Sequence, residues 1–490
     1  MEQFFEVIRI IVDFFRQHVL FINLIFAIAV VFFERKSPKS VWAWLLLLYF
    51  VPVLGFFVYL LAGADMRKSK MFRIKEVEDN LHEAIRQQEH NMKEKGIEAA
   101  DPQLANYTDM VMYNMKTSGA ILTDDNDIDI FTDGNALYDT MIEDMKKAEH
   151  FIHIQYYIIK DDVLFDRISK VLKEKAAQGV EVRILYDAMG CRTFQRKHWK
   201  QLRECGVEAV EFFPALLRRF HLRINYRNHR KIVVIDNKVA YVGGFNVGKE
   251  YIGLDEKFGY WRDTHLRIVG GSIMGLQLRF LLDWNYAAKK NLFSDIRYHS
   301  DFSVGTRDHC SMQIISSGPD NADQQIRNNY LRLIHKAKKS IYIQTPYFIP
   351  DEAIFDSLLV AARSGIEVNI MIPCKPDHPF VYWATYSYIG DLVMAGAKCY
   401  TYDNGFLHAK GIVVDGKVFC YGTANMDIRS FALNFEVNAT VYDEKKAKEM
   451  EDYFIRDLAQ STRITKDMYA GRSLIIRMKE QVCRLLSPLL

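Results

Sequence analysis

The chain has 490 residues, too many for one compact core, and its length suits two domain-sized units with appendages. The formal net charge is +3, with 64 Lys and Arg against 61 Asp and Glu, so bulk charge does not indicate a nucleic-acid partner. The seven cysteines are odd in number and contain no C-x-x-C pair, which indicates a reducing compartment and no structural zinc.

The amino-terminal region is strongly apolar. Residues 41–64 run for 24 positions without a charge, and at about 1.5 Å per residue a helix of this length crosses a bilayer core. Residues 17–33 form a second, shorter uncharged run. We therefore predict two transmembrane helices within 17–64. Residues 1–16 have the polar spacing of an amphipathic helix, which either lies at the membrane interface or extends the first span.

The basic residues around these two runs predict an orientation. The loop between the predicted spans has three Lys and Arg, whereas the side that holds the amino terminus and the main body has seven. The larger count favours a cytoplasmic main body. The predicted location is therefore the cell membrane, as a multi-pass protein with cytoplasmic catalytic domains. Residues 65–105 read as a charged helical connector to that body.

The main body has the pattern of an internal duplication, with similar domains predicted over 106–300 and 301–470. Each contains an apolar strand, a helix that ends at a glycine, a second strand and then a hairpin. The predicted strands are 150–159 and 179–187 in the first domain, and 340–350 and 365–373 in the second. This order predicts an α/β fold with helix-covered sheets. The tail, 471–490, is amphipathic and docks either on the membrane or on the second domain.

One motif occurs twice in the same register. His229 and His408 begin the two copies, and the matching positions follow at +2, +7, +14 and +17. These positions hold Lys231 and Lys410, Asp236 and Asp415, Gly243 and Gly422, and Asn246 and Asn425. A single copy would be a weak signal, but two copies in one register predict one shared active site.

The spacing predicts how these side chains are placed. Residues two apart on a strand face the same side, so each histidine points with its lysine. The aspartates precede tight turns, and we expect them to cap those turns, with direct catalysis as the alternative. The returning strand would bring a glycine and an asparagine back beside the histidine. There the glycine would let an oxygen-rich ligand approach, and the asparagine would donate a hydrogen bond to it.

Two histidines and two lysines around one centre suit an anion that must exchange bonds. A neutral histidine can attack the phosphorus of a phosphodiester while a protonated one donates to the departing oxygen, and the lysines stabilise the remaining oxygens. This chemistry needs no metal and no cofactor, and the sequence has no G-x4-G-K-[ST] nucleotide loop. It requires the two halves to face each other.

The repeated H-x-K-x4-D pattern, followed by G-G-x-N and G-T-x-N, resembles the phospholipase D superfamily. Further stretches resemble its bacterial cardiolipin synthase branch, among them YWRDTHLRIVGGSI, PDHPFVYWATYSYI, DIRSFALNFE and the terminal RLLSPLL. The resemblance spans nearly the whole chain. It implies two phospholipase D-like sandwich domains facing each other, and transfer of a phosphatidyl group between two phosphatidylglycerol molecules to give cardiolipin and glycerol.

The resemblance also implies roles for individual residues. His229 is the expected nucleophile and His408 the general acid and base, and the family places an acidic residue beyond each motif beside the opposite histidine. Those positions correspond to Asp263 and Glu436. Gly244 and Thr423, which follow the motif glycines, are candidate substrate-binding residues.

A membrane phospholipid is the expected partner, and a nucleic acid is not. An apolar segment, 212–217, precedes several cations, of which Arg218 and Arg219 are candidate headgroup-binding residues; a solvated basic loop is the alternative. A phospholipase D that uses water or another alcohol would share the same motifs. A nucleic-acid phosphodiesterase fits the two spans poorly, and a membrane scaffold would have a damaged motif. A homo-oligomer is compatible with the sequence.

Overall fold

A computed structural model describes residues 104–214, 226–293, 295–299, 306–321, 323–375, 377–485 and 487, together with 38–51 and scattered positions before 104. It divides into two compact units. The smaller contains helix α1 (Pro38–Phe50), where buried Trp44 and Leu48 pack together. No helix among the described residues is both long and apolar enough to cross a membrane. The predicted spans, the helix over 1–16 and the connector over 65–105 fall largely outside the described residues and stay predictions.

The larger unit contains both copies of the motif. Its first half comprises α2 (Thr108–Ser118), β1 (Thr123–Phe131), α3 (Gly134–Lys146), β2 (Phe151–Tyr156), α4 (Val163–Ala177), β3 (Glu181–Asp187), α5 (Arg196–Glu204), β4 (Glu208–Phe212), β5 (Arg227–Asn228), β6 (Ile232–Ile235), β7 (Val239–Gly243), β8 (Trp261–Arg262), β9 (His265–Val269) and α6 (Ile273–Ala288). Short 3-10 helices at Leu104–Tyr107, Lys249–Ile252 and Ile296–Tyr298 complete it.

The second half follows the same plan. It comprises β10 (Cys310–Ser317), α7 (Gln325–Lys336), β11 (Ser340–Gln344), β12 (Phe348–Ile349), α8 (Glu352–Arg363), β13 (Glu367–Pro373), α9 (Pro379–Ala395), β14 (Lys398–Tyr402), β15 (Phe406–Leu407), β16 (Gly411–Val414), β17 (Val418–Gly422), β18 (Met426–Asp427), α10 (Ile428–Ala432), β19 (Asn434–Val441), α11 (Glu444–Leu458), β20 (Ser461–Ile464), α12 (Lys466–Ala470) and α13 (Leu474–Leu485).

The strand order makes the duplication visible. The path of the large mixed sheet runs β20-β14-β13-β11-β16-β17-β19-β10-β1-β9-β7-β6-β2-β3-β4. Apart from β20, the order on one side of the β10–β1 junction repeats on the other side. In each half, three strands pair in parallel and the motif hairpin pairs antiparallel beside them. The predicted α/β fold is confirmed, and the two halves join in one continuous sheet.

Each half has its own apolar core, and contacts cross between the halves. Helix α2 belongs to the first half in sequence but packs in the core of the second, where Met110, Val111 and Met115 cluster with residues of α7. Strand β5 pairs in parallel with β19, and β8 pairs with β15. These two short pairings bring the start of each motif against the opposite half.

Candidate active site

Each motif hairpin turns at its aspartate, and the aspartate fixes the turn. Asp236 and Asp415 both have left-handed backbone angles, with φ of 53° and 54°. Each carboxylate accepts three backbone N–H groups from the start of a neighbouring strand, at 2.7–2.9 Å. These contacts are those of a structural cap, as expected from the turn signal, and both carboxylates lie at the far end of the strand from the motif histidine. Direct catalysis by the two aspartates does not fit this geometry.

The first motif histidine is held by the second half of the chain. His229 Nδ1 lies 3.0 Å from both carboxylate oxygens of Glu436, which is fully buried in β19. Since Nδ1–H donates to this carboxylate, the imidazole is fixed as the tautomer whose Nε2 carries a free lone pair. Only 9% of the surface of His229 is exposed to solvent.

The second motif histidine is held reciprocally by the first half. His408 Nδ1 lies 2.6 Å from Oδ2 of Asp263, which is fully buried just after β8. Lys410 Nζ lies 2.7 Å from the same ring nitrogen and 3.7 Å from the carboxylate, and it also donates to the backbone carbonyl of His408. Because an ionised carboxylate can only accept, the bond to Asp263 requires the proton on Nδ1, and the contact between Lys410 Nζ and this nitrogen is then not a hydrogen bond. Each half thus supplies the acid that contacts the histidine of the other half.

The motif lysines are buried and electrostatically linked. Lys231 Nζ donates to the carbonyl of its own histidine at 2.7 Å, as Lys410 does in the second half. Burial lowers the pKa of Lys231 to about 7 and that of Lys410 to about 8, although Glu436 and Asp263 oppose the shift. Lys410 also lowers the pKa of Lys231, so the two cations affect each other. An anion placed between them would relieve this repulsion.

Burial shifts the pKa of the histidines and of their acids in opposite directions, but the pKa of each of the four groups is lowered. Burial lowers the pKa of His408 to about 4, helped by Lys410 and opposed by Asp263. Burial also lowers the pKa of His229, with Lys231 adding to the shift and Glu436 opposing it. Burial acts to raise the pKa of both acids, but the neighbouring histidines and lysines outweigh it and keep both carboxyls below their ordinary pKa. Without a ligand, both imidazoles are therefore neutral at neutral pH and both acids are ionised.

Gly244 and Thr423, candidate substrate-binding residues from the sequence, lie beside the two acids, and their contact with a ligand stays a prediction. A Cβ at Gly244 would lie 2.0 Å from Oδ1 of Asp263, so the missing side chain makes room for that carboxylate. At the equivalent position of the second motif, the Thr423 hydroxyl donates to Oε2 of Glu436 at 2.6 Å. Both residues position the acid that holds the opposite histidine.

The two motif asparagines are buried, but no hydrogen bond joins either to a motif histidine within the described part of the chain. Asn246 accepts from the backbone N–H of Ile158 at 3.1 Å and donates to the Tyr251 hydroxyl at 3.1 Å. Asn425 Oδ1 has no hydrogen-bond partner among the described residues. A ligand-binding role for these amides stays a prediction.

The basic segment before the first motif is only partly described. Arg218 and Arg219 fall outside the described residues, so their headgroup contact stays a prediction. Arg230, which belongs to the same run of cations, is 1% exposed and pairs with Asp283 at 2.6 and 2.7 Å. It also donates to the backbone carbonyl of Glu436 at 3.2 Å. Arg230 therefore supports the strand that carries this acid and does not face a lipid headgroup.

Two aromatic residues beside the histidines were not singled out from the sequence. The Tyr157 ring lies edge-on to His229 with 4.9 Å between centroids, and Lys231 Nζ lies 5.6 Å from the centre of the same ring. The Trp261 ring lies 5.1 Å from His408. Their positions after β2 and within β8 give no spacing signal, since only the pairing of the halves brings them to the histidines.

Family models and related proteins match this architecture. The model described as "Cardiolipin synthase, PLD-like domain" matches residues 141–258 and 330–458, one match on each half, and the phospholipase D-nuclease N-terminal model matches 21–63. The structure is similar to that of a phosphatidylserine synthase from Haemophilus influenzae, with a TM-score of 0.56 at 14% identity. This likeness covers 74% of the chain and 93% of that structure, and it concerns the fold alone.

Curated relatives match over almost the full length. The chain is 50% identical to a cardiolipin synthase of Staphylococcus aureus (strain Mu50), over 96% of this chain and 95% of that protein. It is 48% identical to the major cardiolipin synthase ClsA of Bacillus subtilis and 47% identical to a cardiolipin synthase of Oceanobacillus iheyensis, in each case over 96% of this chain and 97% of the relative. The chain therefore belongs to the cardiolipin synthase family of phospholipase D-like phosphatidyltransferases.

Proposed function

We propose that this enzyme transfers a phosphatidyl group from one phosphatidylglycerol to another, giving cardiolipin and glycerol through a phosphatidyl-histidine intermediate. The proposal rests on the two acids that contact the histidines. His229 is held by Glu436 at 3.0 Å and His408 by Asp263 at 2.6 Å, each acid coming from the opposite half. Two oriented imidazoles beside two lysines meet the needs of phosphodiester exchange.

In the first step, the free Nε2 of His229 attacks phosphorus and the P–O bond to glycerol breaks. The proton that glycerol needs comes from His408. Its pKa is lowered to about 4 in the unliganded protein, but an anionic phosphodiester nearby raises the pKa and favours the protonated ring. Lys231 and Lys410 stabilise the negative charge that develops on the phosphoryl oxygens.

In the second step, the terminal hydroxyl of another phosphatidylglycerol attacks the phosphorus of the intermediate. His408, now neutral, takes the hydroxyl proton, and the bond from phosphorus to His229 breaks. The reaction exchanges one phosphodiester for another, so it needs no nucleotide. Each histidine returns to its starting state, with Glu436 and Asp263 still ionised.

The lipid substrates place the enzyme at a membrane, and we extend the proposal to a multi-pass anchor within 17–64 and a cytoplasmic catalytic body. The match of residues 21–63 to the N-terminal model supports an anchor, and the uncharged run over 41–64 supports a span. Extraction of membranes with alkaline carbonate tests it. The full chain should stay in the pellet, whereas release of all the protein would contradict an integral anchor.

The reaction itself is tested by product analysis. Purified full-length enzyme with phosphatidylglycerol alone should give equimolar cardiolipin and glycerol, and His229→Ala should give neither. The alternative is hydrolysis or transfer to another alcohol by the same histidines. Phosphatidic acid as the main product would show hydrolysis, and a product formed only with an added alcohol would identify another acceptor.

A further inference from the structure

The larger unit contains a cavity of about 410 Å³, within the range of about 300–1,000 Å³ typical of small-molecule sites. The segment before β1, helix α6 and strand β10 line it. Its walls are mainly apolar, with Ile121, Leu278, Leu282, Phe293 and Ile314 among the lining residues. Gly275, at one side of the cavity, is exposed, so a ligand can enter from the surface.

Among the described residues that line this cavity there is one arginine, Arg279. Arg279 forms no hydrogen bond or salt bridge with the described part of the chain. Burial lowers its pKa to about 10, and repulsion from Arg230 adds to the shift, while Asp283 and Asp320 oppose it. Asp283 is already paired with Arg230 through both carboxylate oxygens. Arg279 therefore stays charged at neutral pH while its neighbours only partly neutralise it.

A guanidinium that is only partly neutralised and lies beside apolar walls favours a particular kind of ligand. A charged group in such surroundings loses solvation, and an anion that accepts hydrogen bonds from the guanidinium restores it. The apolar walls suit an alkyl chain, which gains free energy by leaving water. From the cavity and the unpaired cation beside it, we infer that this is a binding site for a lipid anion with one acyl chain, whose carboxylate or phosphate head contacts Arg279.

The cavity does not include the catalytic histidines, but it adjoins residues that contact Glu436, the acid of His229. Ser316 lines the cavity, and its hydroxyl accepts from Arg230 at 2.8 Å. Arg230 in turn donates to the backbone carbonyl of Glu436. Ser316 also donates to the same backbone carbonyl at 3.3 Å, so a residue of the cavity wall directly contacts the acid that holds His229. The inference does not depend on the proposed phosphatidyl transfer.

Photo-labelling of the full-length enzyme tests the site. The probes are a long-chain fatty acid, a lysophosphatidylglycerol and a fatty alcohol, each with a diazirine in the chain, and labelled peptides are mapped by mass spectrometry. The fatty acid, the lysolipid or both should label α6 and the segment around Phe293. The neutral alcohol should label them at least about tenfold less, because it cannot pair with the cation. Whichever of the two anionic probes gives more labelling shows whether the carboxylate or the phosphate is the preferred head.

Variants separate binding from folding. Arg279→Met should reduce anionic labelling at least about tenfold, Arg279→Lys should retain most of it, and Leu278→Trp should block it by filling the cavity. Arg363→Met, which removes an exposed arginine of α8, is the matched control and should label as the parent does. Equal labelling by the alcohol and the acids, or unchanged labelling of Arg279→Met, would overturn the inference. Melting temperatures identify any variant that fails to fold, and the comparison of Met with Lys at 279 remains decisive.

Discussion

A Cβ atom at Gly244 would lie 2.0 Å from the carboxylate of Asp263, the acid that holds His408 from the opposite half of the fold. In the second motif, the corresponding residue is a threonine and the acid is a glutamate. There Thr423 contacts the longer side chain of Glu436 and donates a hydrogen bond to it at 2.6 Å. The residue after the motif glycine is therefore matched to its acid, with glycine beside aspartate and threonine beside glutamate.

Gly244→Ala should displace Asp263 and lower kcat about 100-fold, because a shift of about 1 Å in a catalytic group can cost that factor. Thr423→Val should lose about 10- to 100-fold, which matches one hydrogen bond to a charged group. Steady-state kinetics with phosphatidylglycerol measure both. Gly471→Ala is the matched control, since Gly471 has ordinary helical angles at the end of α12. Parental kcat in Gly244→Ala would show that Asp263 can move without harm.

The repeat predicted more of this site than any single copy could. From the register of His229 and His408, the sequence predicted one centre built from two halves, and the turns at Asp236 and Asp415 follow from local backbone chemistry. The acids could not be found in this way. Glu436 and Asp263 were identified only by family resemblance, because they hold histidines that are 207 and 145 residues away in sequence, through pairings between the halves.

For Arg230, the local sequence is misleading. In sequence it belongs to a run of cations, which predicts a surface that faces anionic headgroups. In the structure it is buried against Asp283, which lies 53 residues further along the chain in α6. Local sequence cannot distinguish an exposed arginine from a buried one, because a buried arginine depends on a partner that only the tertiary fold supplies.

The affinity of the site for a phosphodiester anion should fall as pH rises from about 7 to about 8. Lys231 and Lys410 have pKa values lowered to about 7 and about 8, so both are charged below this window and lose their protons through it. A methylphosphonate analogue of the lipid headgroup keeps one negative charge throughout, so titration of the probe does not contribute. Calorimetry of its binding gives the profile.

Lys231→Met should weaken binding below pH 7 and remove the lower part of this pH dependence. Lys338→Met, at an exposed lysine, should reproduce the parental profile. A parental affinity that stays constant from pH 6 to 9 would contradict the lowered lysine pKa values as the source of anion binding.

Activity should survive thorough chelation, because in the proposed mechanism Lys231 and Lys410 supply the positive charge that stabilises the reacting phosphate. The measurement is cardiolipin formation after dialysis against a strong chelator, with total salt held constant. Restoration by one equivalent of a divalent ion and by no monovalent salt would contradict this chemistry. Restoration by any salt would instead indicate an effect on membrane packing, which leaves the catalytic prediction intact.

The carboxyl-terminal helix α13 should contact the membrane. It packs against α9, where Cys483 clusters with Ala384, as one of the two docking alternatives predicted, and buried Glu480 pairs with Arg472 at 2.7 Å. Its opposite face is apolar and exposed, with Leu474, Ile475, Met478, Val482 and Leu485 all more than half exposed. An exposed apolar face beside basic residues is typical of an interfacial helix.

Ile475→Glu combined with Met478→Glu should lower activity on phosphatidylglycerol vesicles about tenfold or more, while a short-chain soluble donor is cleaved as before. Asp452→Asn with Arg456→Gln, at two exposed positions of α11, is the control double variant. Equal loss with both substrates would indicate damage to the fold, and equal retention with both would contradict a membrane role for α13.

The order of the two histidines can be read from a donor that needs no proton. With a nitrophenol leaving group, departure does not require His408, so His408→Ala should release about one equivalent of nitrophenol in a burst and retain the lipid on His229. His229→Ala should give neither burst nor adduct. The measurement is stopped-flow absorbance together with mass spectrometry of labelled peptides. Labelled lipid on His408 in a protein that still has His229 would reverse the assignment and keep the two-step scheme. Absence of a burst in every variant and in the parent would instead indicate direct displacement by the acceptor, with no covalent intermediate.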